Sequence, residues 1–323
     1  MTQININKIQ EKLAQARVEI GKVIVGQDHL VRCLQMALMC SGHVLLEGVP
    51  GLAKTTTILA LGKVCRADFS RIQFTPDLLP SDLIGSQIFN PAKQEFWVKK
   101  GPIFAHFVLA DEINRAPAKV QSALLEAMGE RKVTIGEETF PLGNPFLVLA
   151  TQNPIEQEGT FPLPEAQVDR FFMKVVLDYP SQEEEIEIMR RASTQDLDSL
   201  KEILSLKEIQ QLPMLVSAVF VDDKIRKYIT DLVFATRNPE HFGLKDLQGK
   251  LAFGASPRGS LNLLKGAQAN AFLSGRDYVV PDDIKAVAMD ILRHRVMPTF
   301  EAEAEDMSSE FIVQYILQNI VVP

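Results

Sequence analysis

The chain has 323 residues, 46% of them hydrophobic, and 34 basic against 41 acidic side chains give a formal net charge of −7. That length suits two domains with ample core in each. The acidic balance, with no lysine- or arginine-rich stretch, argues against a protein that grips nucleic acid by neutralising many phosphates. No apolar run reaches spanning length, and no basic segment followed by an apolar core opens the chain, so the expectation is a cytoplasmic protein with no membrane span. Cys33, Cys40 and Cys65 are odd in number, lie in apolar helical contexts without metal-ligand spacing, and read as buried thiols of a reducing compartment.

In chain order, Ile6, Ile9, Leu13, Ala16, Ile20 and Val23 form one apolar face of a first helix. A second helix starts at Asp28 and stops at Ser41-Gly42. Val44-Leu45-Leu46-Glu47 reads as a strand feeding Gly48-Val49-Pro50-Gly51-Leu52-Ala53-Lys54-Thr55-Thr56. Backbone N–H groups of a glycine-rich loop that opens a helix make a concave anion site, strengthened by the positive end of the helix dipole. Lys54 then reaches the outer phosphates of a nucleotide, and Thr55 offers its hydroxyl to a magnesium ion. A lysine in a first helical turn opposes the dipole, which makes sense with a phosphate in front of it. Ala53 stands where the usual pattern has its second glycine, and a strand-to-helix turn that merely needs glycine fits the same residues.

Arg71-Ile72-Gln73-Phe74 is the next strand, and Phe107-Val108-Leu109-Ala110 is an apolar run ending in Asp111-Glu112. Buried parallel strands read as continuous hydrophobic stretches, and ligands gather at their carboxyl ends. Asp111 there faces the magnesium, directly or through water, and Glu112 polarises an attacking water as general base. Pro145 to Thr151 repeats the arrangement, with Asn153 at its end to hydrogen-bond the lytic water or the terminal phosphate. The phosphate-type loop and the Asp111-Glu112 strand end together imply an ATPase, and the third strand end repeats the arrangement.

Asp169-Arg170 precedes a further strand, and Asp178-Tyr179-Pro180 marks a boundary between a core of residues 1–180 and a second domain of residues 181–323. Ser181 with Glu184 and Ser205 with Glu208 are capping boxes, and the pattern from there is helical: Asp222 to Arg237, Ser256 to Ser274, Pro281 to Arg293 and Ser308 to Asn319. Glu301 to Asp306 reads as a solvated connection. Ser256 caps a helix with Pro257 at its first position, which puts Arg258 in a first turn, where a cation is disfavoured by ~0.3–1 kcal/mol unless a phosphate or an acid is near. Two hairpins are expected: one carrying Phe89, Phe96 and Trp97 about the turn at Asn90 to Lys93, the other between Glu130 and Leu142.

Gly-Val-Pro-Gly-Leu-Ala-Lys-Thr, Leu-Ala-Asp-Glu-Ile-Asn-Arg-Ala, Ala-Thr-Gln-Asn-Pro and Leu-Pro-Glu-Ala-Gln-Val-Asp-Arg-Phe together resemble the AAA+ ATPases, and within them the MoxR group. The resemblance implies an α/β parallel-sheet nucleotide-binding core with a C-terminal all-helical lid domain, ATP and Mg2+ as ligands, and a homo-oligomeric ring, a hexamer. By it, Asp111-Glu112 is the Walker B pair, Asn153 sensor 1, Arg170 the arginine finger and Arg258 sensor 2, while Val25, Gly26 and Gln27 line the adenine pocket. Arg115 is a rival for the finger, and Arg170 held in cis by Asp169 is the alternative. The hairpins resemble the inserts of the branch that also holds magnesium chelatase subunits and MCM helicases; they face a pore or partner, or pack on the domain's own edge. The implied activity is ATP-driven, chaperone-like remodelling of a protein partner, by resemblance one with a von Willebrand factor A domain. The alternatives are a nucleic-acid motor and a nucleotide-gated binding protein with little turnover.

Overall fold

The computed structural model describes residues 6–49, 51–154, 159–191 and 196–323. In α1 (Ile6–Ile20) the residues Ile9, Leu13, Ala16 and Ile20 turn inward at helical spacing, while Ile6 stays exposed. α2 (Asp28–Met39) is buried from Leu30 onward except at Arg32. β1 (Val44–Glu47) runs into the loop from which α3 (Lys54–Val64) departs, and β2 (Phe69–Gln73) follows. α4 (Pro80–Ile84) leads to a first hairpin, β3 (Gly85–Asn90) with β4 (Glu95–Lys100). Its base is tight: Gly85 has φ +103°, and a Cβ there would lie 2.2 Å from the Lys99 carbonyl oxygen. β5 (Phe107–Asp111), α5 (Ala118–Glu130), a second hairpin of β6 (Lys132–Ile135) and β7 (Glu138–Pro141), β8 (Leu147–Gln152), α6 (Glu165–Val168) and β9 (Met173–Val176) complete the first part of the chain.

The main sheet has the order β2-β5-β8-β1-β9, every neighbouring pair parallel. Its three central strands are apolar on both faces because both are covered. Val44, Leu46, Leu109 and Leu149 face the layer built on α1, α2 and α3, while Leu45, Val108, Ala110, Val148 and Ala150 face α5 and the second hairpin. The alternation along each strand thus assigns its residues to two layers.

α7 (Gln182–Arg191) opens with the expected pair of bonds between Ser181 and Glu184. α8 (Leu206–Ser217) has its full capping box, Ser205 with Glu208, and α9 (Asp223–Ala235) is capped by Asp222. Then come β10 (Leu251–Phe253), α10 (Pro257–Leu273), α11 (Pro281–Leu292), β11 (Met297–Pro298), α12 (Phe300–Ala304) and α13 (Ser309–Asn319). Among the described residues the lid is therefore helical apart from one short antiparallel ladder, β10 with β11, and a single bridge between Phe220 and Tyr278. The expected connection at Glu301 to Asp306 begins as a helix instead, because the Thr299 hydroxyl accepts from the Ala302 N–H at 3.3 Å. Lid helices and α1 to α3 share one continuous apolar cluster. Among the described residues no helix is long and apolar enough to cross a membrane.

Candidate active site

The loop after β1 builds the site from its backbone. Gly48 is buried against Leu177, Val49 packs on the main core, Leu52 is buried, and Pro50 lies outside the described residues. Gly51 has φ +90° and Ala53 is left-handed at φ 54°, ψ 21°, immediately before α3 begins at Lys54. That conformation costs an L-residue ~1–2 kcal/mol, which is why a glycine usually stands there. The Lys54 ammonium donates to the Gly48 carbonyl oxygen at 2.7 Å. Partial burial lowers its pKa from the ordinary value, against the pull of Asp111 and Glu112.

These groups open on a groove of about 400 Å3 whose walls are Gly51 to Thr56, Arg71, Gln73, Asp111, Glu112, Thr151 and Asn153. Asp111 ends β5, Asn153 follows β8, and the loop follows β1, so three adjacent strands deliver their carboxyl ends to one place. Glu112 sits at φ 57°, ψ 51°, a strained setting for a side chain with a Cβ and one that clusters at functional sites. Thr151 holds the pair in register: its hydroxyl donates to Asp111 Oδ1 at 2.7 Å and accepts from the Glu112 N–H at 2.9 Å.

Sequence reasoning missed the partners of the two carboxylates. Arg71 Nη2 donates to Asp111 Oδ2 at 2.6 Å, Gln73 Nε2 donates to Glu112 Oε2 at 2.9 Å, and Arg115 Nη1 donates to the same oxygen at 3.0 Å. The signal for the first two was present: polar residues two apart on a strand of a buried sheet share a face, and here they are the polar side of the edge strand β2. Gly26 and Gln27 are not in the groove's walls. Gly26 has φ +73° and lies against the Glu184 carboxylate, at the start of α7, and Gln27 precedes α2. A larger groove of about 780 Å3 runs between the sheet and the β10–β11 ladder, with Phe253, Met297 and Phe300 in its walls. The glycine-rich loop is not among its walls, so the helix-opening backbone that suits a phosphate lies in the smaller groove.

The model of the ATPase family associated with various cellular activities (AAA) matches residues 43–173, and that of the AAA lid domain matches residues 246–316. The chain is 50% identical to the chaperone MoxR1 of Mycobacterium tuberculosis, over 96% of this chain and 82% of that one. The chain belongs to the MoxR-type AAA+ ATPases. It is also 32% identical to the protein MoxR of Paracoccus denitrificans, over 93% of this chain and 94% of that one. A candidate ATPase from Cytophaga hutchinsonii, solved by crystallography, superposes with a TM-score of 0.93 at 51% identity, covering 98% of this chain and 97% of that one. Nucleotide binding is a property of this family.

In this MoxR-type chain neither Arg170 nor Arg258 is in the walls of its own chain's groove. β9 opens at Met173 opposite Val44, the first residue of β1, so Arg170 and the loop after Glu47 stand at opposite ends of paired strands. Four residues of strand separate those ends by about 13 Å. Arg170 is exposed, and its Nη1 donates to the Leu125 carbonyl oxygen at 3.0 Å. Asp169 does not hold it. That carboxylate instead accepts from Arg295 Nε at 2.8 Å, Ser256 Oγ at 2.9 Å and Arg258 Nη1 at 3.4 Å. Arg258 is therefore held at Asp169 and is not in the walls of its own chain's groove, where the resemblance placed it: the lid docks on the amino end of the sheet through Asp169. The Arg295 side chain is wholly buried there; burial pushes its pKa down to about 10 against the pull of Asp169.

Proposed function

We propose that this protein hydrolyses ATP with magnesium, as a hexameric ring, and uses the cycle to remodel a protein partner in the cytoplasm. The reading rests on the convergence of Lys54, Thr55, Asp111, Glu112 and Asn153 around one groove. Lys54 faces the β- and γ-phosphates together with the N–H groups that open α3. Glu112 takes the proton of the attacking water, and Asn153 holds that water or the terminal phosphate in line. The Thr55 hydroxyl and the Asp111 carboxylate are hard oxygen donors on the same groove, a set that fits Mg2+. When bound, the metal neutralises charge on the transferring phosphoryl group. Arg170 lies at the far end of the strands from its own loop, so a second copy supplies it, with Arg258 held at the adjoining Asp169.

A remodelling role draws support from the relative described as a chaperone and from the first hairpin, where Phe89, Phe96 and Trp97 are exposed by 49%, 66% and 47%. By resemblance the partner carries a von Willebrand factor A domain. Nucleic acid draws less support, since the chain is acidic overall and Lys93 and Lys132 on the hairpins lie 3.7 Å from Glu95 and Glu130 respectively, which leaves Lys99 and Lys100 as the other exposed lysines of the first hairpin. Residues 1–180 act in this reading as the ATPase core and 181–323 as the lid.

Nucleotide titration and phosphate release on two variants test the assignment. Lys54→Ala abolishes binding; Glu112→Gln binds ATP but turns over roughly 10²–10⁴-fold more slowly, the usual worth of a positioned base. Near-normal turnover by Glu112→Gln refutes its role.

A further inference from the structure

We infer that His29, Cys33 and Asp290 form a site for a divalent cation of the zinc type, which ties α2 to the lid helix α11. His29 and Cys33 lie four residues apart on α2 and share a helix face. Asp290 arrives from α11, 257 residues after Cys33, so no local spacing in the sequence announces the cluster. His29 Nε2 is 2.9 Å from Asp290 Oδ2 and 3.5 Å from Cys33 Sγ, and Cys33 Sγ is 3.7 Å from Asp290 Oδ2. Bonds of about 2.0–2.3 Å in a tetrahedral zinc site set ligand atoms about 3.3–3.6 Å apart, so a cation fits with shifts of a few tenths of an ångström. Among the described residues this is the one group of three His, Cys, Asp or Glu side chains whose donor atoms all lie within 4.8 Å of one another.

The surroundings suit such a site. Cys33 is fully buried and the Asp290 side chain is 4% exposed, while that of His29 is 59% exposed, so thiol and carboxylate form a floor reached from the His29 side. The other Asp290 oxygen faces Arg293 Nη2 at 3.7 Å, which orients the carboxylate as outer partners of metal ligands do. Arg32, the second nearby cation, is turned away to Asn270 at 2.7 Å. On binding, the Cys33 thiol proton leaves to solvent, the neutral ring of His29 gives its Nε2 lone pair, and water fills the fourth position. One thiolate and one carboxylate balance the two charges of the ion. A cation held this way binds only the docked arrangement of α2 and α11 and therefore stabilises it.

Cobalt titration of the metal-free full chain, with magnesium in excess, tests this. One equivalent of Co2+ per chain gives a thiolate-to-cobalt absorption band, Zn2+ displaces it, and Zn2+ raises the melting temperature. Cys33→Ser loses the band. His29→Ala, a change at a side chain that is 59% exposed, weakens cobalt binding by at least about 10–100-fold and abolishes the zinc-dependent rise. Absence of the band in the unaltered chain overturns the inference, as does a His29→Ala chain that binds cobalt with unchanged affinity.

Discussion

Arg71 and Gln73 stand two residues apart on the edge strand β2, and each holds one of the two acids expected to serve the nucleotide. In the proposed site the Arg71 guanidinium would compete with the divalent cation for Asp111. Their pair is half exposed on the arginine side, with 52% of that side chain accessible, so it is worth ~0.2–1 kcal/mol. Arg71→Gln therefore lowers the Mg2+ concentration for half-maximal ATP binding by about 1.4- to fivefold. A raised requirement would show that Arg71 serves the nucleotide instead. At this scale the sequence was most readable where one residue type has one chemical use: Lys54, Asp111, Glu112 and Asn153 all reach the groove.

Elements were readable wherever a local rule sufficed. β1 spans the residues its apolar run picked out, both hairpins form, and Ser205, Asp222, Ser256 and Ser308 each cap a helix. What the helices pack against was not readable. α10 meets α11 through Gly266, where a Cβ would lie 2.7 Å from Ile291 Cδ1 and 3.2 Å from Val287 Cγ2. Gly266→Leu forces these helices apart and costs about 1–3 kcal/mol, seen as a lower urea midpoint. An unchanged midpoint would mean that α11 yields without cost.

At the scale of the whole molecule, Arg170 is proposed to serve a neighbouring copy's site. Arg170→Ala binds ATP but hydrolyses about 10³–10⁵-fold more slowly, and mixing it with Lys54→Ala restores activity in mixed rings. If co-assembly is shown and no activity returns, Arg170 works within its own chain or only structurally, and Arg115 becomes the better candidate. Acid stability follows from buried histidines. His43 Nδ1 accepts from the Val148 N–H at 3.0 Å, and burial pushes its pKa down from 6.5 to about 4; His294 is lowered for the same reason. The folded chain thus refuses protons that the unfolded chain takes up below pH 6.5. Stability present above that pH is lost as pH falls toward 4, by about 2 kcal/mol at pH 5 for His43 alone. His43→Gln flattens this dependence between pH 7 and 5 in urea titrations; a slope equal to that of the unaltered chain would remove His43 from the account.

The sequence by itself determined the parallel sheet, the phosphate-type loop, the acidic strand end and the capped lid helices. Each is written in contiguous residues, where hydrophobic period, turn chemistry and capping act over a few positions. Only the tertiary structure decided where Arg258 points, that Asp169 serves Arg295, Arg258 and Ser256 in place of Arg170, and that Asp290 meets His29 and Cys33. Those contacts join residues far apart in the chain, and they exist because the lid buries its apolar faces against α1 to α3 in one arrangement. No local pattern encodes that docking; the packing of two surfaces does.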